Sequence, residues 1–225
     1  MLFRSVVPLR RVQVVRMTET VFQRMLGLCK LSVETAGSYG EKDMGGSSLV
    51  SPLLESHRVP ELTAVILPAR EEGPVRWSRV SKKTIRHSFQ RSMIAYTVLV
   101  SGSGLYFGPV AFWALVPLAG WSLLTAWVSY RTMGYEDRPS VVATRLGVFS
   151  RRSLFIPTDK VQSVSVTQSP LQRRLGIATM RLSTAASGHG GTGTVADLPV
   201  EEALRIGLSV HRRSTEAVKM SGEAI

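Results

Sequence analysis

The stretch GHGGTGT, Gly188–Thr194, is the part of the chain closest in composition to a phosphate-binding loop. Such a loop cradles phosphate oxygens with backbone N–H groups, but it also needs a lysine followed by Ser or Thr at the mouth of a helix. Both are missing, so the stretch reads as a flexible hairpin tip. The histidines, His57, His87, His189 and His211, lack the spacing of a metal-ligand set. Serines fall near histidines in LVSPLLESH and TAASGHG, yet no G-x-S-x-G elbow surrounds them. The carboxylates lie mostly in linkers and helix starts, without a suggested inward-facing pair for acid–base work. Cys29, the one cysteine, excludes an intrachain disulfide and a cysteine-rich zinc site, and fits a reducing compartment. No enzymatic activity, metal or cofactor is expected.

Polar residues that recur are more informative. Gln13, Gln23 and Arg24 return as Gln162, Gln172 and Arg173, and Arg11 returns as Lys160. Recurrence at turns favours a folding role: capping, and donation to backbone carbonyls. The sharper alternative is a basic rim for lipid headgroups or an acidic partner. Arg151, Arg152 and Arg174 have no basic counterpart in the first occurrence. They are the candidates for lipid or partner contact.

The recurrence covers a whole segment. VPLRRVQVVRMTETVFQRMLGLCKLSVETAG and IPTDKVQSVSVTQSPLQRRLGIATMRLSTAA align without a gap, Pro8 falling on Pro157, Gly27 on Gly176 and Thr35 on Thr184, each 149 residues apart. A duplicated unit is the economical cause. In VQSVSVTQ, Val164 and Val166 share one face at period two. SPLQRRLG then breaks the pattern, with Gly176 suited to positive φ. IATMRLST puts Ala178, Met180, Leu182 and Thr184 on one face, where the first copy has Cys29, Leu31, Val33 and Thr35, so Cys29 reads as a small core residue. SVVATRLGVFSRRSLFIP reads as a hairpin turning near Gly147. PVEEALRIGLSVHRR reads as a closing helix with an apolar stripe of Ala203, Ile206 and Val210 and glutamates at its positive end.

Between the copies, no charged residue occurs from Ser92 to Tyr130. As helix, these roughly 39 residues would reach about 58 Å, near twice a bilayer core of about 30 Å. Gly108-Pro109 marks the middle, so a hairpin of two spans is expected, about Ser92–Phe107 and Val110–Tyr130. A buried helix pair in a soluble protein and a single tilted span are the rival readings. Basic residues flank the hairpin on both sides, from Arg76 to Arg91 and at Arg131, Arg138 and Arg145, which keeps both ends cytoplasmic. The net charge of +12 and pI near 10.7 favour an anionic partner. Topology and an anionic leaflet account for part of that charge without nucleic acid, for which no basic–aromatic motif is present.

The pattern IP-x-x-K-V-Q-S-V…Q-S-P-L-Q-R-R-L-G-I-A-T-x-R-L-S-T-A resembles the bacterial pleckstrin-homology-like domain of the YdbS/YdbT type. The resemblance is firm over about Tyr130–Arg213 and weaker over Phe3 to about Pro68. Its motif residues here, Pro157, Lys160, Gln162, Gln172, Arg173 and Gly176, are expected to be mainly structural. The resemblance implies an α+β fold: a bent antiparallel sheet capped by a C-terminal helix, preceded by a transmembrane helical hairpin and a partial N-terminal copy of the same unit. The expected organisation is a partial unit over 1–70, a basic linker over 71–91, the hairpin over 92–130, a complete domain over 131–215 and a tail over 216–225. The first copy lacks the strands matching Val141–Phe155 and so has an unpaired sheet edge. It must borrow a partner, stay partly disordered, or belong to the C-terminal part of a longer multi-unit protein; the last is preferred. The expected function is non-enzymatic: a multi-pass protein of the bacterial inner membrane that docks a protein partner or anionic phospholipid, or assembles as an oligomer. An accessory role in a transport complex is the alternative.

Overall fold

The computed structural model describes residues 12–35, 47–67, 76–185 and 193–222. Most of the glycine-rich stretch Gly188–Thr194, and the segment holding Pro8 and Arg11, lie outside them. Among the described residues, nine strands form two antiparallel sheets. In the first half, β1 (Val12–Thr20), β2 (Leu28–Thr35) and β3 (Ser47–Glu55) lead to helix α2 (Val59–Ile66), with the one-turn helix α1 (Val21–Met25) between β1 and β2. Helices α3 (Lys83–Phe107) and α4 (Leu115–Thr132) follow, joined by a 3-10 segment, Gly108–Ala114. Then come β4 (Gly134–Asp137), β5 (Val141–Leu146), β6 (Ser150–Pro157), β7 (Val161–Thr167), α5 (Pro170–Leu175), β8 (Ile177–Thr184), β9 (Gly193–Pro199) and α6 (Val200–Gly222).

The larger sheet has the order β3-β2-β1-β6-β5-β4 and the smaller β7-β8-β9. The edge of β1 expected to be unpaired is therefore occupied. β1 runs antiparallel to β6, from Val15 opposite Phe155 to Thr20 opposite Ser150. β1 thus finds a hydrogen-bonded neighbour within the same chain.

Strands buried on both faces read as continuous apolar runs instead of alternating ones, which explains VVA in β5 and LFI in β6. Val142, Leu154 and Ile156 point into one core with Val14, Met180, Leu182, Leu198 and the α6 stripe Ala203, Ile206 and Val210. Val141, Ala143 and Phe155 point into the other, with Val15, Leu31, Val33 and Ile66. The large sheet is thus a middle layer. The small sheet and α6 cover one face, and residues of α2 cover the other. Gly193 is the close-approach point of the layers: a Cβ there would meet Ile156 Cδ1 at 2.4 Å.

The segments that break the strand pattern are single helical turns with matching caps. Thr20 accepts from Gln23 N at 3.3 Å while the Gln23 side chain accepts from Thr20 N at 3.0 Å. Ser169 and Gln172 repeat this box at 3.2 and 2.9 Å, and both turns close on a glycine at φ +66°, Gly27 and Gly176. The β5–β6 hairpin turns at Gly147 with φ +106°, where a Cβ would lie 2.0 Å from Ser150 O.

The two turns differ in what surrounds them. Gln172 is buried and its amide also donates to Thr179 Oγ1 and to Asp197 Oδ1, both at 2.8 Å. Gln23 is only half-buried. Gln172→Ala should therefore lower stability by roughly 1–3 kcal/mol, because it also leaves buried polar groups unpaired. Gln23→Ala should cost a few tenths to about 1 kcal/mol, the scale of a lost cap contact. Paired denaturant titrations of the two variants check the ordering.

Candidate functional site

The functional geometry gathers at one end of the large sheet. A row of paired residues crosses it: Gly134 opposite Arg145, Arg145 opposite Ser153, and Ser153 opposite Met17. Gly134 is the first residue of β4, separated from the end of α4 only by Met133. Everything beyond this row, toward the β5–β6 turn and α1, therefore lies at the end of the sheet where α4 delivers the chain. At strand spacings of about 4.8 Å, β1 is roughly 14 Å across from β4.

Beyond the row sits a basic cluster. Arg151 lies opposite Glu19, and Arg152 opposite Thr18. Arg151 Nη1 is 3.7 Å from Glu19 Oε2, and Ser56 Oγ donates to the other oxygen of Glu19 at 3.3 Å. Arg24, at the end of α1, donates to the Val148 carbonyl at 3.3 Å and so ties α1 to the β5–β6 turn. Arg145 lays its guanidinium 3.8 Å from the centre of the Trp77 ring. Burial, then the neighbouring charge of Arg151, pulls the Arg145 pKa down to about 10. Burial and the nearby Arg24 lower that of Arg151, and Glu19 works against both shifts. Among the described residues, Nε of Arg145 and Nε of Arg151 are buried without a hydrogen-bond partner. The cluster is crowded positive charge held by one carboxylate. It can accept an anion.

The sequence-derived candidates separate. Arg151 and Arg152 belong to this end, but Arg151 is half-buried at the β1–β6 contact instead of standing free on the surface. Arg174 is exposed on α5, beside the small sheet, with Arg173. Gly176 follows them, and Lys83 Nζ donates to the Leu175 carbonyl at 2.8 Å. Pro157 is buried at the end of β6 opposite Val141. Lys160 pairs with Asp159 at 3.0 Å. Both line an open cleft of about 610 Å³ together with Gln13, Gln162, His211 and Ser214. Gln13 and Gln162 thus share a cleft near the start of β1, away from the basic end.

Three features gave no local signal. Glu19 holds the cluster together only because β1 meets β6. Arg145, a flanking charge in the sequence, is stacked on Trp77 and half-buried. His87 has no ligand-spaced neighbour in the sequence, yet its Nδ1 lies 3.0 Å from Asp197 Oδ1, the atom that Gln172 also reaches. Asp197 is buried and left-handed at φ 58°, a conformation that costs roughly 1–2 kcal/mol. These contacts fasten the first turns of α3 to the small sheet. Among the described residues no group of three His, Cys, Asp or Glu could hold a metal ion.

The helices between the sheets differ from each other. By length and composition, one helix among the described residues can cross a membrane: Gly108–Thr132, with mean hydropathy 1.5. α3 begins at Lys83, inside the stretch 71–91 read as a linker, and its charged first turns and Ser101–Gly104 dilute it. α3 and α4 lie side by side, and the chain passes between them at Gly108, φ +66°.

The family profile of the bacterial PH domain matches residues 3–70 and 93–214. The chain belongs to the bacterial PH domain family. It is 22% identical over 206 residues to the UPF0699 transmembrane protein YdbT of Bacillus subtilis, covering 89% of this chain and 40% of that protein. It is 31% identical over 85 residues to the UPF0699 transmembrane protein YdbS of the same organism, covering 38% of this chain and 51% of that protein. The chain thus spans two-fifths to half of the length of these curated relatives. No solved structure matches it. Both of these relatives are named transmembrane proteins.

Replacing Glu19 by the isosteric Gln keeps an acceptor for Ser56 and removes the charge facing Arg151. Glu19→Gln should lower stability by roughly 1–3 kcal/mol, the range for disrupting a buried polar partner. Added salt should recover part of the loss by screening the arginines. Thermal melts at low and high salt read both effects.

Proposed function

We propose that this chain is a non-enzymatic, two-span protein of the bacterial cytoplasmic membrane that presents a PH-like module to the cytoplasm for docking on anionic phospholipid. One observation carries the reading: the apolar helix Gly108–Thr132 runs almost directly into β4, and the arginines of the large sheet gather at that same end. A module fixed this way has its basic end near the headgroups, where each lysine or arginine contributes about 1 kcal/mol of attraction to an anionic surface. Arg152, with Arg173 and Arg174 on α5, supplies exposed charge, and Arg151 supplies charge at the seam.

In this reading α3 is the second, weaker span, supported by its packing along α4. Arg131, stacked 4.2 Å from the Trp127 ring centre, marks the cytoplasmic end of α4. The stretches β1–β2–β3–α2 and β7–β8–β9–α6 are two versions of one unit, with β6 shared at the junction. The matching capping boxes and φ values support this. The motif residues Pro157, Lys160, Gln162, Gln172, Arg173 and Gly176 serve the fold.

Fractionation of cells expressing the chain tests the proposal. The protein should stay with membranes through high salt and carbonate and leave only with detergent. Release by salt alone would contradict the spanning reading.

A further inference from the structure

The basic end carries an apolar surface that the fold does not use. Phe22, Met25 and Leu26 of α1 and the turn after it are exposed, as is Phe149 in the β5–β6 turn. Arg24 bonds to Val148 O and holds the two groups together. The corresponding turn 149 residues later shows what this costs. Leu175 is 8% exposed, with Lys83 of α3 bonded to its carbonyl, whereas Leu26 is 73% exposed. Where α5 has Arg174, α1 has Met25. Four large apolar side chains set close together on a surface mark an interaction site.

We infer that α1 and the β5–β6 turn form a wedge that inserts Phe22, Met25, Leu26 and Phe149 into the interfacial layer of the anionic bilayer that α4 crosses. The inference rests on the membrane reading above and names what the basic end touches. Two further observations favour lipid over protein. The wedge lies beyond the Gly134–Arg145–Ser153–Met17 row, at the end of the sheet where α4 delivers the chain. Arginines also border it: Arg24 within α1, and Arg151 and Arg152 on the strand that follows Phe149. Apolar side chains ringed by basic ones are the composition of an interfacial anchor, in which buried apolar area and attraction to anionic headgroups add. The carboxylates of this end are engaged: Glu19 with Arg151 and Ser56, and Glu55, opposite Leu28 at the end of β3, with Arg58 at 3.1 Å, so neither opposes the attraction outright.

The test uses the full chain with Cys29→Ala, reconstituted in phosphatidylglycerol-containing vesicles. Single cysteines carry an environment-sensitive fluorophore at Met25→Cys, Phe149→Cys, Gln162→Cys or Leu123→Cys. Gln162 is exposed at the cleft, and Leu123 is exposed on α4. Nitroxide-labelled lipid should quench the probes at 25, 149 and 123 severalfold more than the probe at 162, with blue-shifted emission at 25 and 149. Quenching at 123 with none at 25 and 149 overturns the wedge and leaves the membrane reading standing. Quenching at none of them overturns both. If 25 and 149 are shielded from water and from lipid nitroxide alike, the surface is covered by protein, such as a helix of a second copy, and the lipid wedge is again overturned.

Discussion

The antiparallel contact between β1 and β6 joins the two halves of the chain into one sheet. Without it β6 would be a sheet edge with unpaired backbone groups, and β1–β3 would be a separate three-stranded piece. With it, the two halves of the chain share one hydrogen-bonded layer. Val14 and Val15 then point to opposite faces and enter different cores. Both cores draw on β1 and β6 together, so neither half buries its apolar residues alone.

The same contact builds the electrostatics. Glu19 comes from the first half of the chain and Arg145 and Arg151 from the second. Burial disfavours both guanidinium charges, and Glu19 opposes that penalty. Elsewhere a buried pair is similarly matched, Arg16 with Glu34, where burial raises the Glu34 pKa and Arg16 holds it back; the buried Tyr135 stays a neutral phenol, its pKa raised by burial, and donates to Glu202. Cys29 fits the same picture. It is fully buried and its thiol pKa is raised mainly by burial, as a core residue's would be.

Much of the local structure is legible in the sequence because it is encoded locally. Alternation in VQSVSVT and IATMRLST, the stripe Ala203, Ile206 and Val210, and the turn glycines Gly147 and Gly176 each depend on neighbours a few residues away. The partner of β1 was not legible. Strand pairing across some 135 residues leaves no periodic trace, and a strand buried on both faces, such as SLFIP, does not announce which strands flank it. His87 and Asp197 are linked only through the packing of α3 on the small sheet. Arg151 looked like a surface charge because its register against Glu19 follows from that same long-range pairing. Conversely, the apolar residues of VFQRML pass for core in the sequence; only the fold shows that nothing among the described residues covers them.

A disulfide across the seam tests the account most directly. Met17 and Ser153 are directly opposed, and opposed antiparallel residues have Cα atoms about 4.5–5.5 Å apart, within disulfide reach. In a Cys29→Ala background, Met17→Cys with Ser153→Cys should oxidise readily to a crosslink within one chain. Met17→Cys with Leu154→Cys, whose side chains point to opposite faces, should not. Free thiols in both pairs, or a crosslink only between chains, would contradict the shared sheet.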